Sequence, residues 1–173
     1  SSPFLVVDCT LGYGGHSSHF LKALEERQTP ATSSVLAPSA PELIAFDQDS
    51  VEIIKTETRL REGLAAGAGD GPAVCFTAVN QNFCTLKSYL ETTGQSGKVT
   101  SLLADLGLSS MQIDDNTRGF TYKSEGPLDM RMDITNDENE TAYDLLCRLK
   151  PKQLERMLKE NSDEVFAKEI AFG

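Results

Sequence analysis

The sequence predicts an α/β fold built on an open parallel sheet, and three observations lead to this prediction. Short apolar runs that suit buried strands alternate with amphipathic stretches of helical period. A glycine-rich turn, LGYGG, separates the first apolar run from the first helical stretch. Three of the apolar runs deliver an aspartate to the turn that follows, and parallel strands bring such residues to one edge of the sheet.

The first part of the chain alternates strands with helices. The apolar runs predict strands at residues 5–7, 43–46, 74–79 and 99–104. The helical period predicts a helix from Ser17 or Ser18 to Arg27, a second over 51–64, and a third that begins near Leu86 and stops at Gly94. Residues 29–41 are rich in Pro, Ser and Ala and residues 63–72 are rich in Gly, so both are expected to be loops.

The second part has a different pattern. Residues 111–133 follow neither period and combine turn formers with aromatics, Arg and Asp, which is typical of a functional loop. If residues 129–133 are extended, Asp129, Arg131 and Asp133 share one face; alternatively, Arg131 locks the loop between two carboxylates. Amphipathic helices are then predicted over 141–149 and 151–158 and after Ser162 as a cap, and their succession without a strand predicts a helical subdomain.

Composition excludes several classes of function. The formal net charge of −10 gives no overall attraction to a polyanion, so a nucleic-acid substrate would need a local basic patch or residues outside this sequence. No apolar run approaches the ~20 residues of a membrane span, and no membrane contact is expected. The cysteines lack C-x-x-C spacing, and His16 and His19 have no further ligand at metal spacing, so no metal site is predicted.

The glycine turn and the acid after the second strand predict a site for a nucleotide-type cofactor. Gly12 and Gly14 match the dinucleotide fingerprint G-x-G-x-x-G only in part, because Ser17 stands at the third glycine; a plain tight turn is the alternative. Asp47 can accept hydrogen bonds from both hydroxyls of a ribose, or else it caps the following helix. Phe83, after the third strand, offers a ring to adenine or else fills the core.

Five segments resemble, in order and spacing, the ribosomal-RNA cytosine-N4 methyltransferases of the MraW/RsmH type: VDCTLGYGGHS, FDQD, NF, DLGLSSMQIDDNTRGF and GPLDMRMD. The last two segments are long and unusual enough to be specific, whereas the glycine loop alone is not. The resemblance implies a Rossmann-like sheet, dependent on S-adenosylmethionine, of which this chain holds the first four strands. It also implies a cofactor-binding core at 1–135 and the start of an inserted helical substrate-recognition subdomain at 136–173. Tyr13 departs from the family pattern, in which a small or basic residue is more familiar.

The resemblance implies a role for each candidate residue. Contacts to the cofactor fall to Gly12, Gly14, Gly15, His16, Asp47, Phe83, Asp105 and Gln112. The turn that orients the target amine supplies the catalytic candidates Asp105, Ser109 and Ser110. The cytosine pocket is formed by Arg118, Phe120, Asp129, Arg131 and Asp133. The implied partner is small-subunit ribosomal RNA or the assembling small ribosomal subunit, and a homodimer is compatible with this interpretation.

Two other functions remain open at this point. A nicotinamide oxidoreductase could use the same glycine turn, although Ser17 and the lack of a recognisable proton-transfer residue disfavour it. A non-catalytic ribosome-assembly or RNA-binding protein could keep the fold without the activity. The expected compartment is the cytoplasm for a bacterial protein, while the Ala/Ser/Pro stretch at 28–42 points to a eukaryotic protein of a mitochondrion or plastid.

Overall fold

The computed structural model describes residues 4–27, 40–67 and 74–173. The predicted loop at 29–41 and the later part of the predicted loop at 63–72 therefore lie almost wholly outside the described residues. The chain divides into two compact units, Ser1–Met111 and Gln112–Gly173. The boundary predicted from the sequence lies at 135, after the loop of residues 111–133, whereas the two units divide before most of that loop, after Met111. The functional assignment of the two regions stays a prediction.

The first unit contains a four-stranded sheet with helices between the strands. Its elements are β1 (Leu5–Asp8), α1 (Gly15–Glu26), β2 (Glu42–Asp47), α2 (Ser50–Gly67), β3 (Cys75–Asn80), α3 (Leu86–Thr92) and β4 (Val99–Leu103). All strand pairs are parallel and the strand order is β3-β2-β1-β4, which confirms the predicted α/β class. Because the chain runs outward from β1 to β3 and then returns to the other side of β1, the order switches between β1 and β4. Ligands of open α/β sheets bind beyond the carboxyl ends of strands at such a switch.

Side chains of alternating strand positions form one apolar core on each face of the sheet. On one face, Val6, Leu43 and Phe76 pack with Leu21 of α1 and Leu60 of α2. The opposite face buries a second set from the same strands and packs against α3: Leu5, Val7, Ile44, Phe46 and Val79, with Tyr89 and Leu90 partly buried beside them. Burial of both faces explains why β1 and β2 read as apolar runs, whereas β3 is partly buried and β4 is mostly exposed.

Two helix boundaries differ from the prediction. Helix α1 begins at Gly15, before the predicted Ser17 or Ser18, because Gly14 takes a left-handed φ of 74° and its carbonyl already accepts the first helical bond from Ser18. Helix α2 continues through Gly63 to Gly67, so the expected loop at 63–72 is wrong for its first five residues. Glycine lowers helix propensity by about 1 kcal/mol, and the packing of α2 on the sheet outweighs that cost.

The chain after β4 is made of turns and helices. Helix α4 (Ser110–Asp114) and a single 3-10 turn (Asn116–Arg118) precede α5 (Ala142–Arg148), α6 (Pro151–Ser162) and α7 (Ala167–Phe172). Thr141 caps α5 and Pro151 occupies the first turn of α6, as predicted. The predicted cap role of Ser162 is wrong: this residue is the last of α6, and its hydroxyl donates to the Leu158 carbonyl. Within the described residues, no helix combines the length and apolar character that crossing a bilayer requires.

Candidate functional site

The glycine loop after β1 is fastened by the aspartate that ends the strand. Asp8 is fully buried, and its Oδ1 accepts a hydrogen bond from the Thr10 amide at 3.0 Å. Its Oδ2 accepts from the hydroxyl of Ser17 at 2.7 Å, which ties the strand end to the first turn of α1. The serine at the third fingerprint position therefore has a structural role, and Asp8 is not exposed in the crevice.

Gly14 is required where the loop touches α2. It has a left-handed φ of 74°, and a Cβ at this position would lie 2.7 Å from Thr56 Cγ2 and 3.1 Å from Leu60 Cδ1. Thr56 is itself held, because its hydroxyl donates to the Gly12 carbonyl at 2.8 Å. By contrast, a Cβ at Gly15 would meet no atom within 4 Å. A side chain is therefore excluded at Gly14, whereas there is space for one at Gly15.

Asp47 joins the end of β2 to the glycine loop. Its Oδ2 accepts from the Gly12 amide at 2.7 Å and its Oδ1 accepts from the Asp49 amide at 2.9 Å. Burial raises the pKa of Asp47, and the backbone bonds from Asp49 and Gly12 partly oppose that rise. Each carboxylate oxygen keeps acceptor capacity after one amide bond. The alternative in which Asp47 caps α2 is wrong, because Asp49 accepts from the Val51 and Glu52 amides at 3.1 and 3.0 Å.

The exit of β3 lies beside the exit of β2. Asn80 Nδ2 donates to the Asp47 carbonyl at 2.9 Å, and Asn82 Nδ2 donates to Gln48 Oε1 at 3.1 Å. Phe83 begins a single 3-10 turn here and is 39% exposed, so the alternative in which it fills the core is wrong. Its ring is thus available to a ligand, and its contact with adenine stays a prediction.

Asp105 is fixed by its backbone and open at its side chain. Its amide donates to Thr10 Oγ1 at 3.0 Å, and this hydroxyl lies 3.4 Å from Asp8 Oδ1. The carboxylate is 68% exposed, with Oδ2 3.9 Å from Nδ1 of His16. Ser109 Cβ would lie 3.9 Å from a Cβ at Gly12, so the β4 exit reaches the glycine loop. The role of Thr10 was not predicted from the sequence, because its partner Asp105 lies 95 positions away and no local pattern marks such a contact.

In the first unit, the structure therefore brings together most of the predicted cofactor residues. The glycine loop, His16, Asp47 and Asp105 all lie at the carboxyl ends of β1, β2 and β4. Ser109 is half-buried and Ser110 is the exposed first residue of α4. Gln112 belongs to the second unit, where it is buried, and its predicted cofactor contact stays a prediction.

The loop residues predicted for the cytosine pocket bond largely to one another. Asp129 receives both Nε and Nη2 of Arg131, at 2.9 and 2.8 Å, and this pairing lowers the pKa of Asp129. Met130 between them has a φ of 60°, so the segment is not extended and the shared-face expectation is wrong. The carboxylate of Asp133 accepts a hydrogen bond from the Thr135 amide, two positions further along the chain, at 3.0 Å. The alternative in which Arg131 locks the loop describes the observed contacts, although its partner is one carboxylate rather than two.

Arg118 supports the same loop from inside. It is 4% exposed, and its Nη2 donates to the carbonyls of Arg131 and Met132 at 3.2 and 2.8 Å. Phe120 is half-buried, with its ring centroid 6.0 Å from the Arg118 guanidinium carbon. The substrate contacts of these residues stay predictions. Over the described ranges 4–27, 40–67 and 74–173, no three His, Cys, Asp or Glu side chains are grouped as a metal would require.

Comparison with known proteins gives a consistent result. The model of the MraW methylase family matches residues 1–173. The chain is 38% identical over 165 residues to the ribosomal RNA small subunit methyltransferase H 1 of Lachnoclostridium phytofermentans, an alignment that covers 95% of this chain and 38% of that protein. It is 38% identical over 169 residues to the ribosomal RNA small subunit methyltransferase H of Mycoplasmopsis pulmonis, covering 98% and 48%. The chain thus spans less than half the length of these curated relatives.

Proposed function

This chain belongs to the MraW methylase family, and from that premise we propose that it is an S-adenosylmethionine-dependent methyltransferase that modifies N4 of a cytidine in small-subunit ribosomal RNA. The relatives whose names specify small-subunit ribosomal RNA support the substrate class. The proposed partner is this RNA, free or in the assembling subunit. The same proposal includes a homodimer, located in the cytoplasm of a bacterium or in a mitochondrion or plastid of a eukaryote.

The observation that carries the proposal is the pairing of Asp47 with the glycine loop. An acceptor-only carboxylate at the end of β2 suits the two hydroxyls of a ribose, and the loop beside it has no room for a side chain at Gly14. These groups therefore fit a nucleoside that is joined to an amino-acid tail through a sulfonium, with no phosphate between them. Unlike a dinucleotide, such a ligand has no pyrophosphate that needs a third glycine, which agrees with Ser17 being buried against Asp8.

Each residue then has a defined task. Gly12, Gly14, Gly15 and His16 line the amino-acid side of the cofactor, Asp47 accepts the ribose hydroxyls, and Phe83 lies against the adenine, with Gln112 as a further contact. When bound, S-adenosylmethionine supplies an electrophilic methyl group. Asp105, Ser109 and Ser110 hold the amine in line for transfer, since orientation at near-attack distance is the main requirement of this reaction. Arg118, Phe120, Asp129, Arg131 and Asp133 shape the pocket for the unstacked base.

Asp105 is proposed to accept a hydrogen bond from the amino group of the cytosine. The amine lone pair is conjugated with the ring, so an acceptor on its hydrogens raises its nucleophilicity during attack. We expect Asp105→Asn to lower the turnover rate about a hundredfold, in the range of positioned acid-base groups. The cofactor Kd should change less than about threefold, because the exposed carboxylate is replaced while the amide bond to Thr10 is kept.

The measurement is methyl transfer from labelled S-adenosylmethionine to small ribosomal subunits that lack the modification. Glu26→Gln, an exposed acid at the opposite end of α1 from the glycine loop, serves as the control. A variant at Asp105 that lost cofactor affinity but kept its turnover rate at saturating cofactor would contradict the catalytic role. Cofactor binding by the unaltered chain without any transfer would instead favour the non-catalytic ribosome-assembly function.

A further inference from the structure

One face of α2 holds consecutive residues of the glycine loop. Thr56 Oγ1 donates to the Gly12 carbonyl at 2.8 Å, and Arg59 Nη2 donates to the Tyr13 carbonyl. The guanidinium of Arg59 also lies over the Tyr13 ring, with 3.9 Å between its central carbon and the ring centroid. Thr56 and Arg59 share a face because they are three positions apart on the helix. Helix α2 thus holds the carbonyls of Gly12 and Tyr13, whereas Asp8 and Asp47 accept from the amides of Thr10 and Gly12.

These contacts fix the direction of the loop amides. In a trans peptide the carbonyl and the N–H point in opposite directions. Because the Gly12 carbonyl faces Thr56, the N–H of Tyr13 points away from α2. Because the Tyr13 carbonyl faces Arg59, the N–H of Gly14 also points away, and it donates to the Leu11 carbonyl at 2.6 Å. The contact with α2 therefore sets the direction of the Tyr13 amide, while the Gly14 amide is bonded within the loop.

Arg59 makes two contacts that a lysine cannot make together. Donation to a carbonyl requires only an N–H, whereas stacking on the ring requires the flat guanidinium. Tyr13 is 57% exposed, so burial restrains its position little and the Arg59 contacts supply the restraint.

We propose that Arg59 is a positioning residue for the cofactor site, which acts through Tyr13 to hold the glycine loop ready for the amino-acid tail of S-adenosylmethionine. This inference rests on the proposed function and specifies how one part of the site is supported. A loop that is already ordered loses less conformational freedom when ligand binds, so Arg59 contributes to affinity. It does not touch the reacting atoms, so the turnover rate at saturating cofactor does not depend on it.

The test compares three variants by isothermal titration with S-adenosylmethionine and with adenosine, which lacks the amino-acid tail. Arg59→Ala should raise the Kd for S-adenosylmethionine about tenfold and Arg59→Lys about threefold, because lysine keeps the donor without the stack. Arg61→Ala should change it less than about twofold: Arg61 is on the same helix but pairs with Glu57 at 2.7 Å. Adenosine should bind all three variants within about twofold of the unaltered chain.

Thermal unfolding of the same samples separates positioning from folding. Arg59→Ala and Arg61→Ala should unfold within a few degrees of each other. Equal affinity of Arg59→Ala and the unaltered chain for S-adenosylmethionine would overturn the inference alone. Equal losses for S-adenosylmethionine and adenosine would also overturn it, since they would indicate general damage to the fold. An unaltered chain that binds neither ligand would contradict the proposed function, and the inference with it.

Discussion

Replacing Gly14 with alanine is expected to destabilise the first unit by about 3 kcal/mol, the sum of two separate costs. A left-handed φ costs an L-residue roughly 1–2 kcal/mol, and forcing a methyl into a filled site costs about 1–3 kcal/mol. The added Cβ would lie 2.7 Å from Thr56 Cγ2, which cannot rotate away without breaking the bond from Thr56 Oγ1 to the Gly12 carbonyl. The midpoint of thermal unfolding should fall by roughly 10 °C or more.

Gly15→Ala is the matched control for this prediction. Gly15 is the next residue, it begins α1, and a Cβ there would meet no atom within 4 Å. Alanine is favoured over glycine in a helix, so the unfolding midpoint should stay level or rise slightly, by up to about 1 kcal/mol of stability. Circular dichroism during heating and in urea would measure both variants. Equal effects of the two substitutions would contradict the account of the loop against α2.

Replacing Asp47 with alanine is expected to weaken S-adenosylmethionine binding by about a hundredfold or more. The variant loses the carboxylate that would accept two ribose hydroxyls, at about 1.5–3 kcal/mol for each bond to a charged group. It also loses the acceptor that holds the Gly12 amide at 2.7 Å, so the glycine loop becomes less ordered. Asp47→Asn keeps the size of the side chain but replaces one acceptor by a donor, and an intermediate loss of affinity is expected.

Affinity should also depend on pH through the same group. Burial raises the pKa of Asp47, and only the ionised carboxylate can accept from both hydroxyls. Cofactor binding favours the ionised form, so the affinity should fall as the pH decreases through this raised pKa. In Asp47→Asn that dependence should disappear. Titration calorimetry over a pH series would measure both effects, and Glu26→Gln, an exposed acid at the opposite end of α1 from the glycine loop, serves as the control. An asparagine variant that binds as tightly as the unaltered chain would contradict the ribose role.

The sequence predicted those parts of the fold that depend on local pattern. Strands β1 and β2 are apolar runs because both faces of the sheet are buried there, and Thr141 and Pro151 mark helix starts by rules that need only neighbouring residues. Strand β4 was predicted from its Val and Leu residues, although most of it is exposed. The start of α1 was missed because Gly14 caps it through its backbone, without a capping side chain. Met130 shows the converse limit, since a left-handed φ at a residue other than glycine leaves no mark in the sequence.

For the site, the sequence predicted where the strand-end aspartates lie but not which hydrogen bonds they make. Strand order places Asp8, Asp47 and Asp105 near one edge of the sheet, as the pattern of strand-end acids indicated. The sequence could not tell that Asp8 would be buried against Ser17 while Asp105 remained exposed. That difference arises from hydrogen bonds across the fold, such as the bond from the Asp105 amide to Thr10. Such bonds depend on tertiary geometry, which a single sequence does not display.

We propose that the crevice beyond β1, β2 and β4 binds S-adenosylmethionine. Isothermal titration of the unaltered chain with S-adenosylmethionine, and separately with NAD, tests this claim most directly. We expect saturable binding of S-adenosylmethionine with one site per chain and no measurable heat from NAD. Circular dichroism of the same sample would show that the chain is folded. Saturable binding of NAD, or a folded chain that does not bind S-adenosylmethionine, would contradict the account.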